Sequence, residues 1–104
     1  MIEVSSDEIE KISEDIFSLA NMMHREALMD TRFLVPKSSF ENAIENLIAL
    51  TEGDKNSEFG KQVAYVGDKA FVFKTNTKSE AHFDALCKAL NGLRSMFGLE
   101  PLTL

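Results

Sequence analysis

The sequence is poor in the residue types that form cross-links or bind metals. It has one cysteine, Cys87, and two histidines, His24 and His82, in 104 residues. A single cysteine excludes an intramolecular disulfide and favours a reducing cytoplasmic location. Neither histidine has a second ligand at helical spacing, so we predict no metal site. Cys87 falls on the apolar stripe of the last predicted helix, which is typical of a buried structural thiol.

Long apolar runs and phosphate-binding motifs are also absent. No run approaches the roughly 20 residues of a membrane-spanning helix. The acidic N-terminal stretch lacks the basic and apolar segments of a signal peptide. The glycines Gly53, Gly60 and Gly67 do not have the spacing of a phosphate-binding loop. We therefore expect residues 1–104 to form a single soluble cytoplasmic domain without a cofactor and without membrane contact.

What the sequence does have is an ordinary globular composition with an excess of acid. Hydrophobic residues make up 44% and charged residues 27% of the chain, and the net charge is -6. The acids concentrate near the N-terminus, in residues 7–15, where Lys11 is the only base. Such a surface repels nucleic acid and anionic membranes and attracts a basic protein. The alternative is that these acids only solvate the start of a helix and interact favourably with its dipole.

Three segments combine a capping box with apolar positions three or four residues apart, which predicts three helices. The third helix ends in a pattern typical of a Schellman motif, with Gly98 followed by Leu99. The predicted helices run from Ser5 to about Met29, from Ser38 to Gly53, and from Thr77 to Gly98.

Between the second and third helices, residues 62–75 predict a β-hairpin. Two runs rich in Val, Phe and Tyr flank Gly67-Asp68, a pair suited to a two-residue loop. Both faces of this hairpin would be apolar, so both need to be covered. Arg32–Val35 and Met1–Val4 are candidates for additional short strands. The predicted fold is α+β, with three helices around a small antiparallel sheet in the order α-α-β-β-α.

Because no catalytic motif is present, we expect a non-catalytic protein-interaction module. It would be a small acidic regulatory or inhibitory protein that binds a basic partner protein, such as a nucleic-acid-binding one, without contacting nucleic acid itself. The apolar faces of the hairpin also favour a homodimer. The predicted contact residues are Asp7, Glu10, Glu14 and Asp15 on the acidic face, and Tyr65, Phe71 and Phe73 on the hairpin.

The alternative function is a small enzyme or small-ligand-binding domain with a pocket between the hairpin and the helices. It would use His24 or His82. This alternative predicts a closed cavity and titratable groups with shifted pKa values. The interaction module predicts an exposed apolar patch instead.

Overall fold

The computed structural model describes residues 4–30 and 35–103, and these residues form four helices. Each helix packs against the next one along the chain, and the first also packs against the last. Short connections make such neighbours antiparallel. Residues 4–30 and 35–103 contain no strand, so the chain is an all-α four-helix bundle and the α+β prediction is wrong. The helices are α1 (Ser6–Leu28), α2 (Val35–Ala49), α3 (Glu58–Thr75) and α4 (Glu80–Met96).

Helix α3 occupies the residues predicted to form the hairpin. Its buried side chains are Val63, Val66, Ala70 and Phe73, which lie on one face of a helix because they are three or four residues apart. The strand preference of Val, Phe and Tyr is weak and depends on context. Burial of this stripe in the bundle outweighs that preference. Gly67 therefore lies inside a helix and does not turn the chain.

The additional strands are not part of the described fold. Residues 1–3 and 31–34 lie outside the described residues, so most of both candidate strands is untested. Val35 is the first residue of α2, and Val4 precedes α1 in an irregular conformation.

The predicted capping box marks the helix start correctly at α1, but not at α2 or α4. The capping box of α1 is confirmed, because the Glu8 amide donates to Ser5 Oγ at 3.2 Å and the Ser5 amide donates to Glu8 Oε1 at 3.4 Å. Helix α2 begins at Val35, so the predicted start at Ser38 is wrong. Ser38 instead lies on the solvent-exposed side of the first turns. Gly53 lies beyond the end of α2, with a φ of 84° in the following loop.

The Schellman motif at the end of α4 is confirmed. The amide of Leu99 donates to the Arg94 carbonyl at 3.0 Å, and the amide of Gly98 donates to the Ser95 carbonyl at 3.1 Å. Gly98 has a φ of 72°, the left-handed conformation that this motif requires. The capping box predicted at Thr77 is wrong, because α4 begins at Glu80 and its N-cap is Ser79, whose Oγ accepts a hydrogen bond from the His82 amide at 3.2 Å.

All four helices contribute to one apolar core. Three phenylalanine rings lie at its centre, with centroids of Phe40 and Phe83 at 5.9 and 5.8 Å from that of Phe73. All three are at most 2% exposed. None of the described helices is both long enough and apolar enough to cross a lipid bilayer.

A buried arginine joins α1, α4 and the C-terminal segment. Arg94 is 5% exposed. Its Nη1 donates to Ser13 Oγ at 2.9 Å, and its Nε donates to the Glu100 carbonyl at 2.8 Å. One turn earlier, Asn91 exchanges two hydrogen bonds with the backbone of Leu102, at 2.6 and 3.2 Å. The interface between α1 and α4, which we call the α1/α4 seam, is therefore held together by polar contacts.

Candidate functional site

The acidic residues singled out in the sequence lie on the exposed side of α1. Asp7, Glu10 and Glu14 follow one another at helical spacing and form one stripe. Asp15 is turned toward α2 and lines a shallow cleft there. In the described part of the chain none of these four carboxylates forms an ion pair. The stripe is therefore a free negative surface.

The aromatic residues singled out on the hairpin are separated by the helix. Tyr65 is 49% and Phe71 63% exposed, whereas Phe73 is fully buried. The hairpin register placed Phe71 and Phe73 on the same face, but on α3 they lie on different sides. Helix α1 is diagonal to α3 among the described helices, so the acidic stripe and the exposed aromatic rings do not share a surface.

An apolar groove lies between α2 and α3 on the described surface. These two helices contact each other less than the other neighbouring pairs do. Two adjoining depressions of about 220 and 400 Å³ lie between them and share Ile48, Gly67 and Phe71. Gly67 forms the floor, because it has no side chain and the nearest atom to a Cβ built there is Ile48 Cδ1, at 3.6 Å. We call this feature the α2/α3 groove.

Charged residues surround the apolar part of the α2/α3 groove. At one end Lys74 Nζ lies 3.9 Å from Glu41 Oε1, which joins the two walls. In the middle, Glu45 on α2 and Asp68 on α3 line the adjoining depressions. Neither of these two forms an ion pair with any described residue. The middle of the groove is therefore flanked by two carboxylates without an ion pair, and Lys55 lines the depression that Asp68 borders.

The two candidate histidines lie in different surroundings. His24 is 8% exposed, and its Nδ1 donates to the Thr77 carbonyl at 2.7 Å. Its ring stacks on Phe83, with centroids 4.9 Å apart. This histidine ties α1 to the connection between α3 and α4 and has a structural role. His82 lies in the first turn of α4, and neither histidine lines the α2/α3 groove.

Cys87 is half-buried and is not activated as a nucleophile. Desolvation by burial, with a smaller effect from the nearby Asp84 carboxylate, raises the pKa of the thiol to about 11. Thiolates are the reactive form of cysteine, so a raised pKa makes this thiol unreactive at neutral pH. No group of three or more potential metal ligands occurs within residues 4–30 and 35–103.

The sequence interpretation missed most of the groove. Gly67 was predicted to lie in the hairpin loop, and Ile44 and Ile48 were not identified as surface residues. The signal that identifies these positions is the helical spacing of the buried residues of α3. That spacing places Gly67 and Phe71 at the flank of the stripe, toward α2.

Comparisons with protein-family models, curated protein sequences and solved structures gave no match to this chain. The function is therefore argued from the described surface.

Proposed function

We propose that this protein is a non-catalytic interaction module, a small regulatory or inhibitory protein that binds a segment of a partner protein in the α2/α3 groove. The proposal rests on one observation, which is that the apolar groove is exposed and has Phe71 at its edge. Contiguous exposed apolar surface is one mark of an interaction site. An aromatic ring beside a concave apolar surface is also a typical hot spot of protein interfaces.

The shape and lining of the groove favour a protein ligand over a reaction. The groove is an open trough between two helices, whereas small-molecule sites enclose most of their ligand. Its charged lining residues are carboxylates and lysines, and one pair of them, Lys74 and Glu41, is 3.9 Å apart. The structure thus supports apolar docking with polar contacts at the edge, which is the anatomy of a protein interface.

The acidic stripe of α1 has a different role in the proposed interaction. Exposed charges that a ligand does not bury chiefly change the rate of association with an oppositely charged partner. Asp7, Glu10 and Glu14 would thus attract a basic partner, and the groove would hold it. The two surfaces lie on different helices, so substitutions can test them separately.

Affinity capture with matched variants tests the proposal. Ile48→Ser with Phe71→Ser removes the apolar edges of the groove. Met22→Ser with Met96→Ser is the control, because these residues are 43% and 45% exposed on α1 and α4, away from the groove. We expect a stoichiometric protein partner with the unsubstituted protein and the control, both with and without nuclease, and loss of that partner with the groove variant.

Two results would contradict this proposal. Equal recovery of the partner by the groove variant and the control would place its binding site elsewhere. Recovery of only the protein's own copies would show that the protein associates with itself and not with a foreign partner. That result would favour the homodimer that the sequence predicted. Charge reversal by Glu10→Lys with Glu14→Lys should slow association and leave the recovered partner the same.

A further inference from the structure

We infer that the segment bound in the α2/α3 groove is an amphipathic α-helix with lysine or arginine beside its apolar ridge. This inference rests on the proposed function, since it names the class of ligand for the same groove. It follows from the backbone chemistry of the walls, the length of the trough and the charge of its rim.

The walls of the groove suit a helix, but they offer no backbone hydrogen bonds to an extended peptide. Both walls are helices, whose backbone groups are already paired within each helix. The described residues contain no strand edge to which an extended peptide could add. An extended segment would leave its own amides and carbonyls unpaired over an apolar surface, which is costly. A helix pairs these groups internally and presents only side chains.

The dimensions of the groove also suit a helix. Its lining on α3 extends from Gly60 to Lys74. At 1.5 Å per residue this is about 20 Å, or roughly four helical turns. Gly67 in the middle of that length leaves space for the ridge of an incoming helix. Such a ridge is formed by apolar side chains at every third or fourth position.

The charge of the rim determines which residues suit the positions beside the apolar ridge of that helix. Glu45 and Asp68 lie on opposite walls beside Ile48 and Phe71, and the described chain gives neither an ion-pair partner. Lysine and arginine can lay their alkyl stems along apolar surface while their charged ends reach a rim carboxylate. The rim also carries Lys55 and Lys74, so a second copy of this protein is the rival occupant, which the oligomeric state tests.

Three synthetic peptides of about 18 residues test the inference. The first has a leucine ridge at every third or fourth position with lysine at the flanks. The second has the same ridge with glutamate at the flanks. The third contains the residues of the first in scrambled order, so that it has no ridge. Fluorescence anisotropy at about 0.15 M salt, where weak surface charge effects are screened, measures their binding.

Three variants locate the binding. Gly67→Leu fills the floor of the groove; a Cβ there makes ordinary contact with Ile48 Cδ1, at 3.6 Å, and leucine favours the helix more than glycine does. Glu45→Lys with Asp68→Lys reverses the rim. Glu10→Lys with Glu14→Lys changes the net charge equally but on α1, so it is the matched control. Circular dichroism confirms that each variant keeps its helix content.

We expect the lysine-flanked peptide to bind the unsubstituted protein, and the glutamate-flanked and scrambled peptides to bind at least about tenfold more weakly. Gly67→Leu should weaken the lysine-flanked peptide by about tenfold or more. Reversal of the rim should exchange the preference between lysine and glutamate flanks. Reversal on α1 should preserve that preference.

The inference is overturned if no peptide binds, if the scrambled peptide binds equally well, or if α1 reversal removes binding as fully as rim reversal does. It is also overturned if light scattering finds a dimer that Gly67→Leu converts to a monomer, because a second copy then occupies the groove. A native partner that depends on Ile48 and Phe71, without any peptide binding, would reject the helix and keep the proposed function. A native partner that is independent of both residues would reject the proposed function itself.

Discussion

Two glycines seven residues apart on α3 have opposite surroundings. A Cβ at Gly67 would meet only Ile48 Cδ1, at 3.6 Å, which is ordinary contact. A Cβ at Gly60 would collide with the carbonyl oxygen of Asp54 and lie 2.8 Å from Lys55 Cα. The backbone of the connection between α2 and α3 passes directly over Gly60. The same chemical change should therefore have opposite effects at the two positions.

We predict that Gly67→Ala raises the free energy of unfolding by about 0.5–1 kcal/mol, because alanine lowers the conformational entropy of the unfolded chain and favours the helix. Gly60→Ala should lower it by about 1–3 kcal/mol, because backbone atoms must move to admit the methyl group. Urea denaturation of both variants measures the two changes. Destabilisation by Gly67→Ala would show that the floor of the groove is already filled in solution.

At the scale of the secondary structure, Phe71 and Phe73 distinguish a helix from a hairpin. A hairpin places both on one face and gives them similar roles. Helix α3 buries Phe73 completely against Phe40 and Phe83 and leaves Phe71 63% exposed. Truncation of the two rings should thus have very different costs.

We predict that Phe73→Ala lowers the free energy of unfolding by about 3–5 kcal/mol, because it leaves a cavity in the core. Phe71→Ala should change it by less than about 1 kcal/mol, because the ring is mostly in water. Chemical denaturation followed by far-ultraviolet circular dichroism measures both. Equal losses for the two variants would contradict the helical assignment of α3.

The sequence predicted the start of α1 and the end of α4 correctly, whereas the capping boxes at Ser38 and Thr77 do not mark the starts of α2 and α4. The capping box at Ser5 and the Schellman motif at Gly98 are short patterns in which named atoms pair, so they can be read locally. Helix α3 could not be predicted in the same way. Its Val, Phe and Tyr residues match alternating and helical spacing at once, and only packing against the other three helices decides between them.

The candidate site depended on that decision. Tyr65 and Phe71 were predicted as surface contacts from a hairpin that does not exist, and both are exposed because of where they lie on a helix. Phe73 was predicted with them and is buried. Glu45, Ile48 and Gly67 were not identified, because a groove is formed by two elements together and appears only after their packing is known.

The bundle as a whole has one closed seam and one open seam. Between α1 and α4, Arg94 connects Ser13 to the carbonyl of Glu100, and the C-terminal segment covers the junction. Between α2 and α3, the only described ion pair is the one between Lys74 and Glu41, 3.9 Å apart and partly exposed. The first seam stabilises the fold, and the second is free to take part in binding.

We predict that Arg94→Leu and Lys74→Leu differ in both stability and binding, although each replaces a base with the same side chain. Arg94→Leu removes buried charge-assisted hydrogen bonds, including the one to the Glu100 carbonyl, so the free energy of unfolding should fall by about 2–3 kcal/mol. Lys74→Leu removes a partly exposed ion pair and should change the free energy of unfolding by less than about 1 kcal/mol.

Under native conditions Arg94→Leu should still bind the lysine-flanked peptide, because the α2/α3 groove is unchanged. Lys74→Leu should bind that peptide more tightly, because Glu41 then adds an unpaired carboxylate to the rim. Denaturation and anisotropy on the same samples separate the two effects. Loss of peptide binding in folded Arg94→Leu would show that the two seams are coupled.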